Sequence, residues 1–575
     1  MEPGQWSDPE YWVEQVRKPV RFADAISRLE GVGRFVELGP DGVLSALVSD
    51  AVAVPVLRRD RDEVTTALTA LATLHVNGVP VNWSTLHQGV APATLPTYAF
   101  QRERYWLETR PERAVAADPV EAGFWDAIDR GDLTTLAADL GVDPSAPLDS
   151  LLPALTSWRA RGRERSRLDG WRYRVSWQPV PEPGPVSPAG TWVLIGTDPV
   201  GFAEALTGHG AHVLAVETGE RTVLAQRLRE LEGPVAGVVS LAALEGGPLF
   251  NSLAVIQAYL DAGLAAPLWL VTWGAVATGR ADGAVDVDQA ALWGLGRAVG
   301  LEHPELWGGL LDLPAVIDAR AAGRIGAVLA GALGAEDQVA VRASGVSVRR
   351  LEHAPAAGGR VWQPRGTVLI AGGTGGLGAQ VARWAAGNGA ERLVLVSRRG
   401  VDAPGARELL AELPNAEVHA CDLADRSAVE ALLATVGGVD AVVHAAGVGE
   451  DAALHEVDEA HLRRVVDGKV DGALHLDALV GDVDAFVVFS SISGIWGSAE
   501  QAAYGAANAA LDALVARRWA YGLPGTAVAW GPWAQVGMAA DDEIATQLRR
   551  RGLSPMDPAH ALTALASAVG SGEAA

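Results

Sequence analysis

The 575-residue sequence predicts an α/β protein of two side-by-side halves, each alternating strands and helices about a mostly parallel sheet. Three observations predict it. A glycine-rich turn links an apolar strand to a helix and a second strand in GTVLIAGGTGGLGAQVARWAAGNGAERLVLVSRRG, residues 366–400. Four more short apolar runs follow with helical stretches between them, ending near residue 530. An earlier stretch, from 171 to about 357, repeats the alternation in TWVLIGTDPVGFAEALTGHGAHVLAVE, GPVAGVVSL, APLWLVTWGAVA and DQVAVRASGVSVRRLEH.

The glycine segment reads as a strand from Thr367 to Ile370, a turn, a helix from about Gly376 and a strand from Arg392 to Val396. That is the opening βαβ unit of a Rossmann-like dinucleotide fold. Gly372, Gly376 and Gly378 let the backbone turn tightly and approach a pyrophosphate at the helix N-terminus, with Gly373, Thr374, Gly375 and Leu377 completing the loop. Where many NAD sites place an acidic residue at the end of the second strand, this chain has Ser397, Arg398 and Arg399. Two guanidiniums suit a 2′-phosphate, so NADPH is the expected reductant; the alternative is a pair of solvated arginines. Residues 417–423 read as the third strand, with Asp422 at its tip to meet an adenine edge and Leu423 beside it. Residues 441–448 read as the fourth, ending in Ala445, Ala446 and Gly447, small enough for a nicotinamide to lie close to the backbone. His444 within it reads as a satisfied core residue. The fifth strand, 483–490, delivers Ser491 at its carboxyl end, where open α/β sheets place their ligands. A sixth lies in GTAVAWGPWAQVGMA; Pro532 and Trp533 follow it toward the cofactor, and 534–548, with Met538 on the substrate side, is expected to cap the cleft as a mobile lid.

Thirteen positions separate Ser491 from Tyr504, Asn508 follows four later, and Lys469 lies upstream. A phenol, with an ordinary pKa of about 10, is a poor acid at neutral pH. It needs a neighbouring cation and a second hydroxyl before it can protonate a developing alkoxide. Lys469 and Ser491 suit those roles. Positions four apart share a helix face, so Tyr504 and Asn508 point into one cleft. The bland alternative is a surface tyrosine on an alanine-rich helix; the glycine loop upstream argues against it.

These residues resemble the ketoreductase domains of modular type I polyketide synthases, a branch of the short-chain dehydrogenases/reductases, over nearly the whole chain. Classical members of that superfamily carry Y-x-x-x-K with an upstream asparagine; the polyketide branch exchanges the two, as Lys469 and Asn508 do here. Ala371 departs from the threonine that usually opens the family's glycine loop. The resemblance implies NADPH-dependent reduction of a β-ketoacyl thioester held on an acyl carrier protein. Tyr504 would donate the proton, Ser491 would hydrogen-bond the carbonyl oxygen, Lys469 would ease loss of the phenol's proton and contact the nicotinamide ribose, and Asn508 would fix the lysine or a relay water. B-type members carry Leu-Asp-Asp where this chain has Gly449, Glu450 and Asp451. A-type members carry a tryptophan eight residues before the tyrosine, as Trp496 stands here, and their epimerising subtype has histidine where this chain has Gln501. The resemblance therefore implies an A1-type enzyme giving an L-β-hydroxyl without epimerisation, with packing as the alternative role of Trp496. Rival readings are a redox-silent or epimerase-type relative and a free-standing alcohol dehydrogenase.

The resemblance also divides the chain. Residues 1–110 resemble an acyltransferase tail and the linker after it (95–106); the G-H-S-x-G nucleophile motif is missing, so no transferase activity is expected. Residues 111–170 carry two short amphipathic stretches, 124–140 and 148–158, similar to a dimerisation element; a homodimer through 119–160 is expected, unless the same stripes pack on the linker. Residues 171–360 resemble a degenerate structural subdomain, whose first loop puts Asp198 and Pro199 where a phosphate needs bare amides, and 361–575 the catalytic subdomain. Other domains of the synthase module are expected partners. A net charge of −24 and a pI near 4.9 argue against nucleic acid and anionic membranes. The longest apolar stretch, about 265–278, is shorter than a membrane helix needs, and the start lacks a signal-peptide pattern. One cysteine, Cys421, excludes an intrachain disulfide and a thiol metal site and fits a reducing cytoplasm.

Overall fold

The computed structural model describes residues 5–87, 164–537 and 552–572, apart from positions 30, 50, 185, 280 and 356–359, together with positions 159, 162, 546, 548 and 550. The linker at 95–106, the amphipathic stretches at 124–158 and Met538 lie outside the described residues. The chain forms two compact units, Met1–Pro111 and Glu112–Ala575.

In the first unit, β1 (Arg34–Glu37) and β2 (Val52–Pro55) pair in parallel, and helix Glu63–Val76 starts where the Asp62 carboxylate caps the Thr65 amide at 2.8 Å. Its core is small, Val54 with Ala70 and Leu74, while Val16 and Leu38 stay 88% and 86% exposed.

The second unit holds two sheets. The first is built from β3 (Tyr173–Val180), β4 (Gly190–Ile195), β5 (Ala211–Val216), β6 (Val235–Ser240), β7 (Leu268–Trp273), β8 (Trp307–Leu313), β9 (Gln338–Arg342) and β10 (Gly345–His353), in the order β3-β10-β9-β8-β7-β6-β4-β5. Strands β4 to β9 run parallel, and β10 pairs antiparallel with both β9 and β3. The second sheet is built from β11 (Thr367–Ala371), β12 (Arg392–Ser397), β13 (Ala416–Ala420), β14 (Ala441–His444), β15 (Ala485–Ser491) and β16 (Thr526–Trp530). All six are parallel, in the order β13-β12-β11-β14-β15-β16. Its central strands are continuous apolar runs because helices cover both faces. The chain reverses direction across the sheet between β11 and β14, the crevice where such folds bind ligands.

The first half cannot bind a phosphate in the same way. Asp198 Oδ1 accepts from the Phe202 amide (2.9 Å) and Oδ2 from the Ala203 amide (2.8 Å), so the chain's own carboxylate fills the helix terminus an anion would need. The two halves share one continuous core, from Val193 and Trp293 through to Leu511 and Val515. Helices Val287–Glu302 and Ala502–Ala520 cross at two glycines: a Cβ on Gly294 would run into the Gly505 carbonyl and lie 2.7 Å from the Ala506 nitrogen. Among the described residues, no helix is long and apolar enough to cross a membrane.

Candidate active site

The carboxyl ends of β11, β14 and β15 face one cleft. Helix Gly376–Gly387 begins there with Gly375 at its cap and no side-chain hydrogen bond on its first amides, which leaves them for an anion. Gly372 has φ 75°, and a Cβ on it would lie 2.8 Å from Cα of Ala446; one on Gly373 would lie 2.9 Å from Cβ of Leu395. Only bare backbone fits, and the cradle this leaves suits a pyrophosphate. Thr374 and Leu377 are half-buried around it, Gly378 is buried, and Gly376 lies under Val536 and Gly537. Ser397 ends β12 with a buried hydroxyl that has no partner, and Arg398 and Arg399 beyond it are exposed and make no ion pair among the described residues. Asp422 is exposed, two residues past β13, and accepts from the Ala424 amide at 3.2 Å; Leu423 is buried. Ala445, Ala446 and Gly447 follow β14 directly. Met556 donates its amide to Pro532 at 2.8 Å, while the Trp533 ring lies in the core, edge-on to Trp530 at 5.0 Å.

Lys469 is buried on a single π-helical turn, Asp467–Asp471, set between helices Glu459–Val466 and Gly472–Leu479. Such wide turns recur at functional sites because they aim a side chain that an α-helix would misplace. Its Nζ lies 4.9 Å from the centre of the Tyr504 ring, and a Cβ on Gly447 would come within 3.2 Å of it. Tyr504, half-buried, stands on the first turn of Ala502–Ala520. Ser491 is buried at the end of β15, where its Oγ accepts from the Ser493 amide (3.3 Å) and caps helix Ile492–Trp496. Asn508 is fully buried one turn below Tyr504; Nδ2 donates to the Tyr504 carbonyl (2.7 Å), and Oδ1 has no partner among the described residues. A buried acceptor left in this way suits a water.

His444 does more than fill the core: its Nε2 lies 2.7 Å from the Lys469 carbonyl and donates to it. Burial pushes this imidazole down to about 4, partly opposed by that bond. The ring is therefore neutral in the folded protein and steadies the turn that carries Lys469. Stability carried by the neutral ring is fully present above pH 6.5, where the unfolded chain's histidine is also neutral, and is lost as pH falls toward 4. Over that window the loss is about 3 kcal/mol. His444→Gln, which keeps a donor and does not titrate, is expected to show a shallower acid-side fall in Tm than the parent.

Three residues of the site, Asp512, Arg297 and Arg349, are not apparent from the sequence. Asp512 continues the Tyr504, Asn508 spacing by one more turn, and burial pushes its carboxyl up to about 7 while Ser490, Arg297, Arg349 and Lys469 pull the other way. Arg297 and Arg349 come from the first half and donate to the carbonyls of Gly494 (2.5 Å) and Ile495 (2.8 Å), holding the helix that Ser491 caps. That helix ends on Trp496, which is 47% exposed. Across the cleft, Gln501 Nε2 donates to Asp451 Oδ1 (2.9 Å), and Glu450, next to Gly449, pairs with Arg464 (3.2 Å).

Six parallel strands, a glycine turn at a helix N-terminus, Ser491 at a strand end, Lys469 on its π-turn and Tyr504 with Asn508 on one helix are the pattern of a nicotinamide-dependent reductase of the short-chain type. The comparisons with known proteins carry this further. Residues 366–535 match the KR domain family, 121–165 the polyketide synthase dimerisation element and 175–351 the Rossmann fold domain of polyketide synthase extender module SpnB. A solved structure described as an A1-type ketoreductase is 43% identical, with a TM-score of 0.68 over 71% of this chain and 92% of that one. The first ketoreductase of the tylosin synthase is 44% identical, with a TM-score of 0.64 over the same shares. Polyketide synthase GfsA of Streptomyces halstedii is 46% identical over 98% of this chain, and erythronolide synthase EryA3 of Saccharopolyspora erythraea 42% over 98%. The chain spans only 8% and 16% of those two relatives' lengths. It belongs to the ketoreductases of modular polyketide synthases, enzymes that reduce a β-keto group.

Proposed function

We propose that this chain reduces a β-ketoacyl thioester, carried on the phosphopantetheinyl arm of an acyl carrier protein, to the L-β-hydroxyacyl thioester, with NADPH and without epimerisation. The observation that carries this reading is the buried Lys469 ammonium over the Tyr504 ring, in a half whose glycine turn opens helix Gly376–Gly387 without a side-chain cap. A dinucleotide held by Gly372, Gly373, Thr374, Gly375, Gly376, Leu377 and Gly378 would supply the hydride. Ser491 donates a hydrogen bond to the substrate carbonyl, and Tyr504 gives its proton to the oxygen as negative charge develops there. Lys469 stabilises the phenolate that remains, by Coulomb attraction in a site poor in water. Asn508 Oδ1 accepts from that ammonium or from a water that restores the proton.

The exposed Arg398 and Arg399 beside the Ser397 hydroxyl, without an ion pair among the described residues, support the choice of NADPH. Replacing both by Ala is expected to raise KM for NADPH roughly tenfold to a hundredfold and to leave KM for NADH within about twofold. Equal effects on the two cofactors, read by steady-state kinetics, would count against the 2′-phosphate role. Trp496 at the cleft mouth, Gln501 in place of histidine and the lack of Leu-Asp-Asp at 449–451 support the A1 assignment. The match at 121–165 supports a homodimer and neighbouring domains of a synthase module as partners. The single cysteine, buried and free, accords with the cytoplasm as the place of action. A carrier-bound β-ketoacyl thioester turned over far faster than a free secondary alcohol is the expected result; comparable rates would favour a stand-alone dehydrogenase.

A further inference from the structure

The half that spans 173–353 supports the site from a distance. Its helix Val287–Glu302 ends on a carboxylate that accepts two backbone hydrogen bonds from the other half: Oε2 from the Leu454 amide (3.1 Å) and Oε1 from the Glu500 amide (2.9 Å). Leu454 lies in the stretch that leaves β14, and Glu500 in the turn between the Ser491-capped helix and the Tyr504 helix. These two rims, one leaving β14 and one entering the Tyr504 helix, bond each other directly. The Ala452 amide donates to the Glu500 carbonyl at 2.8 Å, and Gln501 donates to Asp451. Gln257, from the same half as Glu302, adds donations to the carbonyls of Leu454 (2.8 Å) and Val457 (2.7 Å).

Two facts set Glu302 apart from an ordinary interface residue. A carboxylate at the C-terminal end of a helix is opposed by the helix dipole, so helix stability gives no reason for an acid there. Glu500 sits at φ 63°, a left-handed conformation disfavoured for a residue with a Cβ, and its amide is one of the two that Glu302 holds. The strain, the cross-rim latch and the misplaced acid meet at one carboxylate.

We propose that Glu302 is a positioning residue for the reduction: by fastening both rims it holds the Asp451–Gln501 latch shut and sets the pose in which the β-keto thioester enters beside Trp496. The inference rests on the functional reading above and deepens its stereochemical part. Its test uses Glu302→Ala, Glu302→Gln and Gln501→Ala in the full chain, with a diketide β-keto thioester and NADPH. Glu302→Ala is expected to raise KM for the thioester about tenfold, to leave KM for NADPH within about twofold, and to turn a single β-hydroxy epimer into a mixture. Glu302→Gln keeps one acceptor oxygen and falls between Glu302→Ala and the parent; Gln501→Ala opens the latch without touching Glu302 and reproduces the mixture. An unchanged epimer ratio and thioester KM in a folded Glu302→Ala enzyme would overturn the proposal. So would an equal rise in both KM values, or loss of cooperative melting in both Glu302 variants, which assigns the carboxylate to the joint between the halves. A parent enzyme that leaves the thioester unreduced sinks the functional reading instead, and one that gives the D epimer cleanly sinks only the A1 assignment.

Discussion

Replacing Tyr504 by Phe is expected to abolish reduction of a β-keto thioester while leaving cofactor binding in place. The ring stays, and with it the packing against the core and the cation over its face. Only the hydroxyl goes, and with it the proton that the proposed mechanism gives to the substrate oxygen. A positioned general acid contributes roughly 10²–10⁴-fold, so kcat should fall by that much with the dissociation constant for NADPH unchanged within about twofold. Fluorescence titration of the cofactor beside single-turnover kinetics separates the two quantities. Turnover near the parent's would remove Tyr504 from the proton step.

The largest effect on stability is expected where the halves cross. A Val side chain at Gly294 has nowhere to go: its Cβ would meet the Gly505 carbonyl and the Ala506 nitrogen, which are backbone and cannot swing aside. Either the two helices separate or the turn that carries Tyr504, one residue before Gly505, shifts with them. Overpacking of this kind costs about 1–3 kcal/mol and occasionally more, and a rigid backbone contact belongs at the upper end. Gly294→Val is thus expected to lower stability by about 3 kcal/mol in urea unfolding and to cut activity even where the protein remains folded. Gly219→Ala, whose new Cβ meets nothing within 4 Å, is the control and should stay within about 0.5 kcal/mol of the parent. A harmless Gly294→Val would mean that the close crossing does not fix the tyrosine.

Much of the catalytic half is legible in the sequence because its chemistry and its folding are written locally. The glycine turn, the apolar strands and the helical spacing of Tyr504 and Asn508 each lie within a few dozen residues. The strand ends are less so. Residues 417–423 read as one strand, yet β13 stops at Ala420, because its neighbour β12 ends at Ser397 and the parallel ladder has no further partner. The fourth strand likewise stops at His444, opposite Ala371, and leaves Ala445 to Gly447 as the loop against the cradle. Strand order is hidden altogether: the parallel strands of the first half run β5-β4-β6-β7-β8-β9, with the reversal one strand earlier than in the second half, and periodicity carries no trace of it. Asp198 is the exception there, since an acid in a phosphate loop can be read directly.

The site's supports are the least legible part. Arg297, Arg349, Gln257 and Glu302 reach residues some 145 to 200 positions away, and a polar residue on a helix or strand gives no sign of which distant carbonyl or amide it will meet. His444 shows the same limit at shorter range. Its burial could be read from the apolar run around it, whereas its bond to the Lys469 carbonyl depends on a π-turn that no spacing announces.

The most direct test of the central claim is chiral chromatography of the product formed when the full chain and NADPH meet a diketide β-keto thioester. A single L-β-hydroxy thioester, formed with one equivalent of NADPH oxidised, is the predicted result. Cofactor bound but never consumed, or a product of the opposite configuration, would contradict it.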